Sequence, residues 1–203
     1  VSDGCLGRAY DARTPEKARA LYDEWSATYE AEVAANGYAT PGRIAAALGT
    51  ALPDRAAPIL DMGCGTGLAG IALRAEGFET VDGRDVSQEM IAQARDRGAY
   101  RDLRAIAPDE PFAGAAPGDY AAIVACGVIG TGAAPWSLFD ACMEALGPEG
   151  LFALSFNDRA LADPEATLAV ERWEPGRATV ILREHGDHLP GIGLRSTVLL
   201  LRR

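Results

Sequence analysis

Lysine is nearly absent from this chain of 203 residues: Lys17 stands alone, and 19 basic residues face 29 acidic ones for a formal net charge of −10. A field of that sign repels phosphate backbones and anionic headgroups, which argues against nucleic acid or a membrane surface as partner. Histidine is as scarce, with only His185 and His188. Cys5, Cys64, Cys126 and Cys142 form no CxxC pair and lack the density of a small secreted scaffold, so reduced thiols and a cytoplasmic location are expected. Long apolar runs are missing too. The longest, Ala121 to Ile129, is far short of the roughly 20 residues a membrane-spanning helix needs, and no N-terminal apolar stretch reads as a signal peptide. Low-complexity segments are also lacking, and 48% hydrophobic with 24% charged residues is ordinary globular usage, which excludes wholesale disorder.

What is present has a clear order. Residues 1–13 lack periodicity and read as a loose leader. Thr14-Pro15-Glu16 then joins a hydroxyl N-cap, a proline whose missing N–H costs nothing there, and an acid at the positive end of the helix dipole. Leu21, Tyr22, Trp25, Tyr29 and Val33 follow at spacings of three and four, and Asn36-Gly37 stops the helix. Thr40-Pro41 repeats the start signal ahead of Ile44, Ala47, Leu48 and Leu52.

From Pro58 short apolar runs alternate with helical patterns, as in a parallel sheet with crossover helices. Strands are expected at 59–62, 79–85, 103–106, 120–126 and 151–155. Helices are expected at 68–76, from a Ser87 cap to Arg97, at 136–146 and at 158–170. Ala178 to Arg183 and Leu194 to Leu201 read as a closing hairpin around the turn-rich EHGDHLPGIG, which puts both histidines in a loop. No repeat or interdomain linker is visible.

The stretch ILDMGCGTG (59–67) ends a strand in three alternating glycines, Gly63, Gly65 and Gly67, where backbone N–H groups can approach a ligand that any Cβ would exclude. A dinucleotide fingerprint counted from Gly63 requires glycine where Leu68 stands, so a pyrophosphate is disfavoured. The next strand supplies an acid able to accept hydrogen bonds from two ribose hydroxyls. Asp82 and Asp85 both suit by distance. Asp85 is preferred, because the Ser87 cap puts it at the strand exit and leaves Asp82 inside the strand.

With GRDVSQEM, DYAAIVACGV and ALGPEGLFALSF following at the usual separations, residues 58–157 resemble class I S-adenosylmethionine-dependent methyltransferases. LYDEWSATYEAEV is similar to the N-terminal helix of the Williams-Beuren-syndrome-region methyltransferase-like subgroup. The resemblance implies a three-layer Rossmann-like α/β fold, with a seven-stranded, mostly parallel sheet whose last strand is antiparallel. It implies one structural domain, with residues 1–57 as leader and lid helices and 58–203 as the cofactor-binding core. It assigns Asp61 and the turn Gly63, Cys64, Gly65 and Gly67 to the methionyl end and Asp85 to the ribose. Val86 and Met90 lie against adenine in this scheme, the backbone near Cys126 meets the amine, and Tyr22, Trp25 and Tyr29 form a lid. Those three aromatics serve equally as a packing stripe. Relatives often carry an acid after the third strand for the adenine amine; here that place holds Ala107, with Asp109 two residues later.

The implied reaction is methyl transfer from S-adenosylmethionine, leaving S-adenosylhomocysteine, to a small-molecule acceptor. A non-catalytic module binding either compound, or a methyltransferase acting on a protein, are the alternatives. A sulfonium methyl is already activated, so positioning is the expected mechanism and no catalytic residue is assigned. His185, Asp187 and His188 suggest a metal, yet no further ligand is visible, so none is expected. Cys64 and Cys126 lack a partner base and read as packing or backbone-contact residues. Trp136, Asn157 and His185 are acceptor-pocket candidates, the first two because they follow strands at the carboxyl edge.

Overall fold

A computed structural model of the chain describes residues 31–130, 133–174 and 176–203. The helix start at Thr14 and the residues Leu21, Tyr22, Trp25 and Tyr29 lie outside the described residues. Residues 31–35 are helical and close at Gly37, which takes a φ of 71°.

Next come α1 (Thr40–Ala51), β1 (Ile59–Met62), α2 (Leu68–Ala75), β2 (Val81–Asp85), α3 (Gln88–Asp96), β3 (Asp102–Ala105) and β4 (Ala122–Cys126). Then follow α4 (Ser137–Ala145), β5 (Leu151–Asn157), α5 (Asp158–Leu161), α6 (Pro164–Glu171), β6 (Thr179–Leu189) and β7 (Leu194–Arg202). The sheet order is β3-β2-β1-β4-β5-β7-β6, with β7 antiparallel to both neighbours and the other pairs parallel. This is the expected Rossmann-like fold with its closing hairpin.

The strands feed two cores by their period of two. Ile59, Ala122, Val124, Val198 and Leu200 pack on one face with Ile44 and Leu48 of α1 and Leu73 of α2. Leu60, Met62, Ile123, Leu199 and Leu201 pack on the other with Phe139 and Met143 of α4 and Val170 of α6. Such alternation leaves the carboxyl ends of β1, β2 and β4 side by side, where loops must turn into helices.

Three local expectations are corrected. Thr40 does not cap α1: the N-cap is Ala39, without a side-chain hydrogen bond, and the buried Thr40 Oγ1 instead contacts His188 Nδ1 at 2.7 Å and Ser196 Oγ at 3.0 Å. The helix expected over 158–170 is two helices, because Asp163 accepts from the Glu165 amide at 3.0 Å and Pro164 starts α6. The histidines are not in a loop. β6 continues to Leu189 through two register shifts, and the turn shrinks to a 3₁₀ segment, Pro190–Ile192, before Gly193. Main-chain pairing with β7 tolerates polar side chains along this outer strand, so the side-chain pattern concealed it.

Candidate active site

A cavity of about 510 Å³ opens at the carboxyl edge. Met62, Gly63 and Gly65 line it from the β1 turn, and Asp85, Val86 and Met90 from the β2 exit. Ile106 and Asp109 line it after β3, Cys126, Gly127 and Val128 after β4, and Leu138 from α4. Its volume falls in the range of small-molecule sites.

The turn is built differently from the expectation. Gly63, Gly65 and Gly67 all have positive φ, at 69°, 53° and 96°. A Cβ on Gly63 would lie 2.6 Å from Val128, whereas one on Gly65 would meet nothing within 4 Å. Gly65 is therefore the open position of the turn. The amides expected to face a ligand turn inward: those of Gly63 and Cys64 donate to the Arg84 carbonyl at 2.7 and 3.0 Å, and that of Gly65 to Asp85 Oδ2 at 2.8 Å. These bonds lash the turn to β2.

The turn's unmet capacity resides in side chains. Among the described residues, the buried side-chain polar atoms without a hydrogen-bond partner are Asp61 Oδ1 and Thr66 Oγ1, both at this turn. Asp61 is fully buried, and its Oδ2 accepts from the Tyr100 hydroxyl at 2.7 Å. Burial pushes its carboxyl up to about 7, against the Tyr100 hydrogen bond and with help from the Asp85 charge. A buried oxygen left without a partner costs about 1–3 kcal/mol, so a donor is called for there.

Asp85 stands at the end of β2 and lines the cavity. Its oxygens accept from the amides of Gly65, at 2.8 Å, and Ser87, at 2.9 Å, which fix the carboxylate at the cavity wall. Ser87 Oγ in turn caps α3 by accepting from the Met90 amide. Asp82 is spent inside the sheet, bonded to Arg101 and Tyr120. Burial alone would raise its carboxyl, but those bonds and the charges of Arg101 and Arg84 hold it below the usual value.

Cys64 is buried, its thiol next to Gly83, and burial pushes it well up; Cys126 lines the cavity with its thiol pushed up to about 12 by burial. Neither is a thiolate near neutrality. Of the two places considered after β3, Asp109 lines the cavity and Ala107 is not among its lining residues.

The acceptor candidates have partners within the chain. Trp136 Nε1 donates to Asp163 at 3.2 Å and its ring packs on Phe156. Asn157 caps α5 by accepting from the amides of Arg159 and Ala160. His185 sits on exposed β6, with Nδ1 3.1 Å from Thr197 Oγ1 and Nε2 3.7 Å from Asp158. None is among the lining residues, nor are Asp61, Cys64, Thr66 and Gly67, whereas Pro135 and Ser137 on either side of Trp136 are. Tyr22, Trp25 and Tyr29 lie outside the described residues.

Thr66, Tyr38 and Tyr100 escaped the sequence reading. Tyr38 places its hydroxyl 3.5 Å from Cys126 Sγ and sets its ring edge-on to His188. No periodic or motif signal marks it. Among the described residues no three His, Cys, Asp or Glu side chains converge as metal ligands, and no helix is long and apolar enough to cross a membrane.

Residues 60–152 match the family described as a methyltransferase domain. Methyltransferase-like protein 27 of Homo sapiens is 32% identical over 145 residues, which are 70% of this chain; the chain spans 59% of that relative's length. An S-adenosylmethionine-dependent methyltransferase from Mesorhizobium loti superposes with a TM-score of 0.56 at 17% identity, covering 77% of this chain and 96% of that one. A Listeria monocytogenes protein assigned to the class I enzymes of that type gives a TM-score of 0.63 at 15% identity, over 80% of this chain and 58% of its own. At such identities the two superpositions speak for the fold.

Proposed function

This chain carries a class I, S-adenosylmethionine-dependent methyltransferase domain, and from that premise we propose that it moves a methyl group from S-adenosylmethionine to a small-molecule acceptor. One observation carries the cofactor reading. Among the described residues, the buried side-chain polar atoms without a partner, Asp61 Oδ1 and Thr66 Oγ1, belong to the same strand and turn as Gly63 and Gly65, which line the cavity, and an amino-acid terminus brings the ammonium and the carboxylate that such an acceptor and such a hydroxyl would satisfy. Asp85, anchored by two amides, suits two ribose hydroxyls. Val86, Met90 and Ile106 offer apolar walls to a planar base, with Asp109 in reach of its exocyclic amine.

When bound, the sulfonium supplies an already activated methyl group. What the chain adds is alignment, which is worth roughly 7–11 kcal/mol when two reactants are held in line. The inward amides serve that end by stiffening the turn. Among the described residues, the lining carries Asp85 and Asp109 as its charged side chains and is otherwise largely apolar. A neutral or cationic small molecule suits it better than an anionic one.

Calorimetric titration with S-adenosylmethionine, S-adenosylhomocysteine and NAD tests the first half: the first two should bind and NAD should not. Binding of NAD alone would sink the reading. Labelled methyl transfer in a cell extract tests the second half. Label confined to macromolecules would rule out the small-molecule acceptor.

A further inference from the structure

Tyr100 lies in the connection from α3 to β3, far in sequence from the glycine turn, yet its ring fills the gap between α2 and β2. A Cβ on Gly70 would come within 2.3 Å of that ring, one on Gly83 within 3.1 Å and one on Gly67 within 3.2 Å. The hydroxyl has two partners: it accepts from the Gly70 amide at 3.1 Å and donates to Asp61 Oδ2 at 2.7 Å. The direction is forced, because an amide N–H can only donate, which leaves the phenolic proton for the carboxylate. α2 has Gly67 as N-cap and no side-chain cap of its own. Tyr100 therefore serves as a cap delivered from a distant loop, and through the same oxygen it grips Asp61.

We propose that Tyr100 is a positioning residue of the cofactor site: held by the Gly70 amide, its hydroxyl engages Asp61 Oδ2 and so presents Oδ1 to the ammonium of the bound methionyl group. The proposal rests on reading the turn as an S-adenosylmethionine cradle. Four titratable groups act on or around Asp61, namely Tyr100, Asp85 at the end of β2, Cys64 in the turn and Cys126 at the end of β4. Burial and Asp85 push the Asp61 carboxyl up to about 7, and the Tyr100 hydrogen bond pulls against them. An ammonium partner requires ionised Asp61. Binding near neutrality must therefore release a proton, and removing the Tyr100 hydroxyl must move the titration upward.

The test is calorimetric titration of S-adenosylhomocysteine from about pH 5.5 to 9, in buffers of different ionisation heat, on the wild type, Tyr100→Phe, Asp61→Asn and the double variant. The wild type should release a fraction of a proton on binding between about pH 6 and 7. Tyr100→Phe keeps the ring; its affinity should be roughly tenfold weaker at pH 7 and recover only in part at pH 9, where Asp61 is ionised in both proteins and the lost orientation remains. The ligand's own amine titrates alike for both, so their ratio isolates Asp61. In the Asp61→Asn background the added Tyr100→Phe change should shift affinity by less than about twofold. A Tyr100→Phe affinity within about twofold of the wild type's at both pH 7 and pH 9 would overturn the proposal. So would an equal loss from Tyr100→Phe in the wild-type and Asp61→Asn backgrounds, which would show that the hydroxyl does not act through Asp61. A wild type that binds no S-adenosylhomocysteine at any pH would refute the cradle itself, a different failure.

Discussion

Around the tips of β1 and β2, two buried oxygens lack partners and a glycine faces open space. Around the ends of β4, β5 and β6, polar and aromatic side chains are committed within the chain. Trp136 is bound to Asp163, Asn157 caps α5, and His188 is buried against Thr40 and Tyr38. All of these stand at or near the same edge of one sheet. Position at the carboxyl edge is common to both regions; what separates them is hydrogen-bonding capacity left unmet by the fold.

The contrast can be broken most forcefully by acid. Burial, with the Arg43 charge nearby, pushes His188 down to about 4 from an ordinary 6.5. Between those values the unfolded chain takes up a proton that the folded chain refuses. Stability from this site is thus complete above pH 6.5 and lost as pH falls to 4, by up to about 3 kcal/mol. Asp61 runs the other way, since its raised carboxyl contributes stability that is lost as pH rises from 3.8 through about 7. The check is therefore a difference: denaturant unfolding of the wild type minus His188→Gln should show the acid slope, and the wild type minus Asp61→Asn the reverse.

At the turn, Asp85→Ala should weaken S-adenosylhomocysteine binding more than tenfold, which is at least about 1.4 kcal/mol, with the fold retained by circular dichroism. Unchanged affinity would mean that the ribose partner is another group. Asn157→Ala should do the opposite, lowering unfolding free energy by about 1 kcal/mol as a lost cap, with affinity held within about twofold. The smallest effect belongs to exposed His185: replacement by alanine should change stability by less than about 0.5 kcal/mol and leave binding untouched. A large loss of methyl transfer there would move the acceptor pocket to β6.

Where the governing contacts are local, the chain could be read directly. Ser87 caps α3 through the Met90 amide three residues on, and alternating glycines after an apolar run turn β1 into α2. The Asp163-Pro164 pair carried the same kind of signal for a helix start, but it was buried in an apolar pattern that runs on through it. Thr40 carried a start signal that proved false, because its hydroxyl found His188 across 148 positions of sequence. Tyr100 and Thr66 had no signal at all. What marks them is a contact or the lack of one, and neither exists before the chain is folded.

By itself the sequence determined the order of the strands and of the helices up to the break at Asp163, the closing hairpin, the glycine turn and the acid at the exit of β2. Each follows from periodicity and capping within about a dozen residues. Tertiary structure alone decided which polar groups are consumed and which are left over. That depends on meetings between distant segments: β2 receives the turn's amides, Tyr100 seizes one oxygen of Asp61, and α1 draws His188 into the interior. Burial then raises the cost of whatever remains unpaired, and that cost is what distinguishes the glycine turn from a well-satisfied edge.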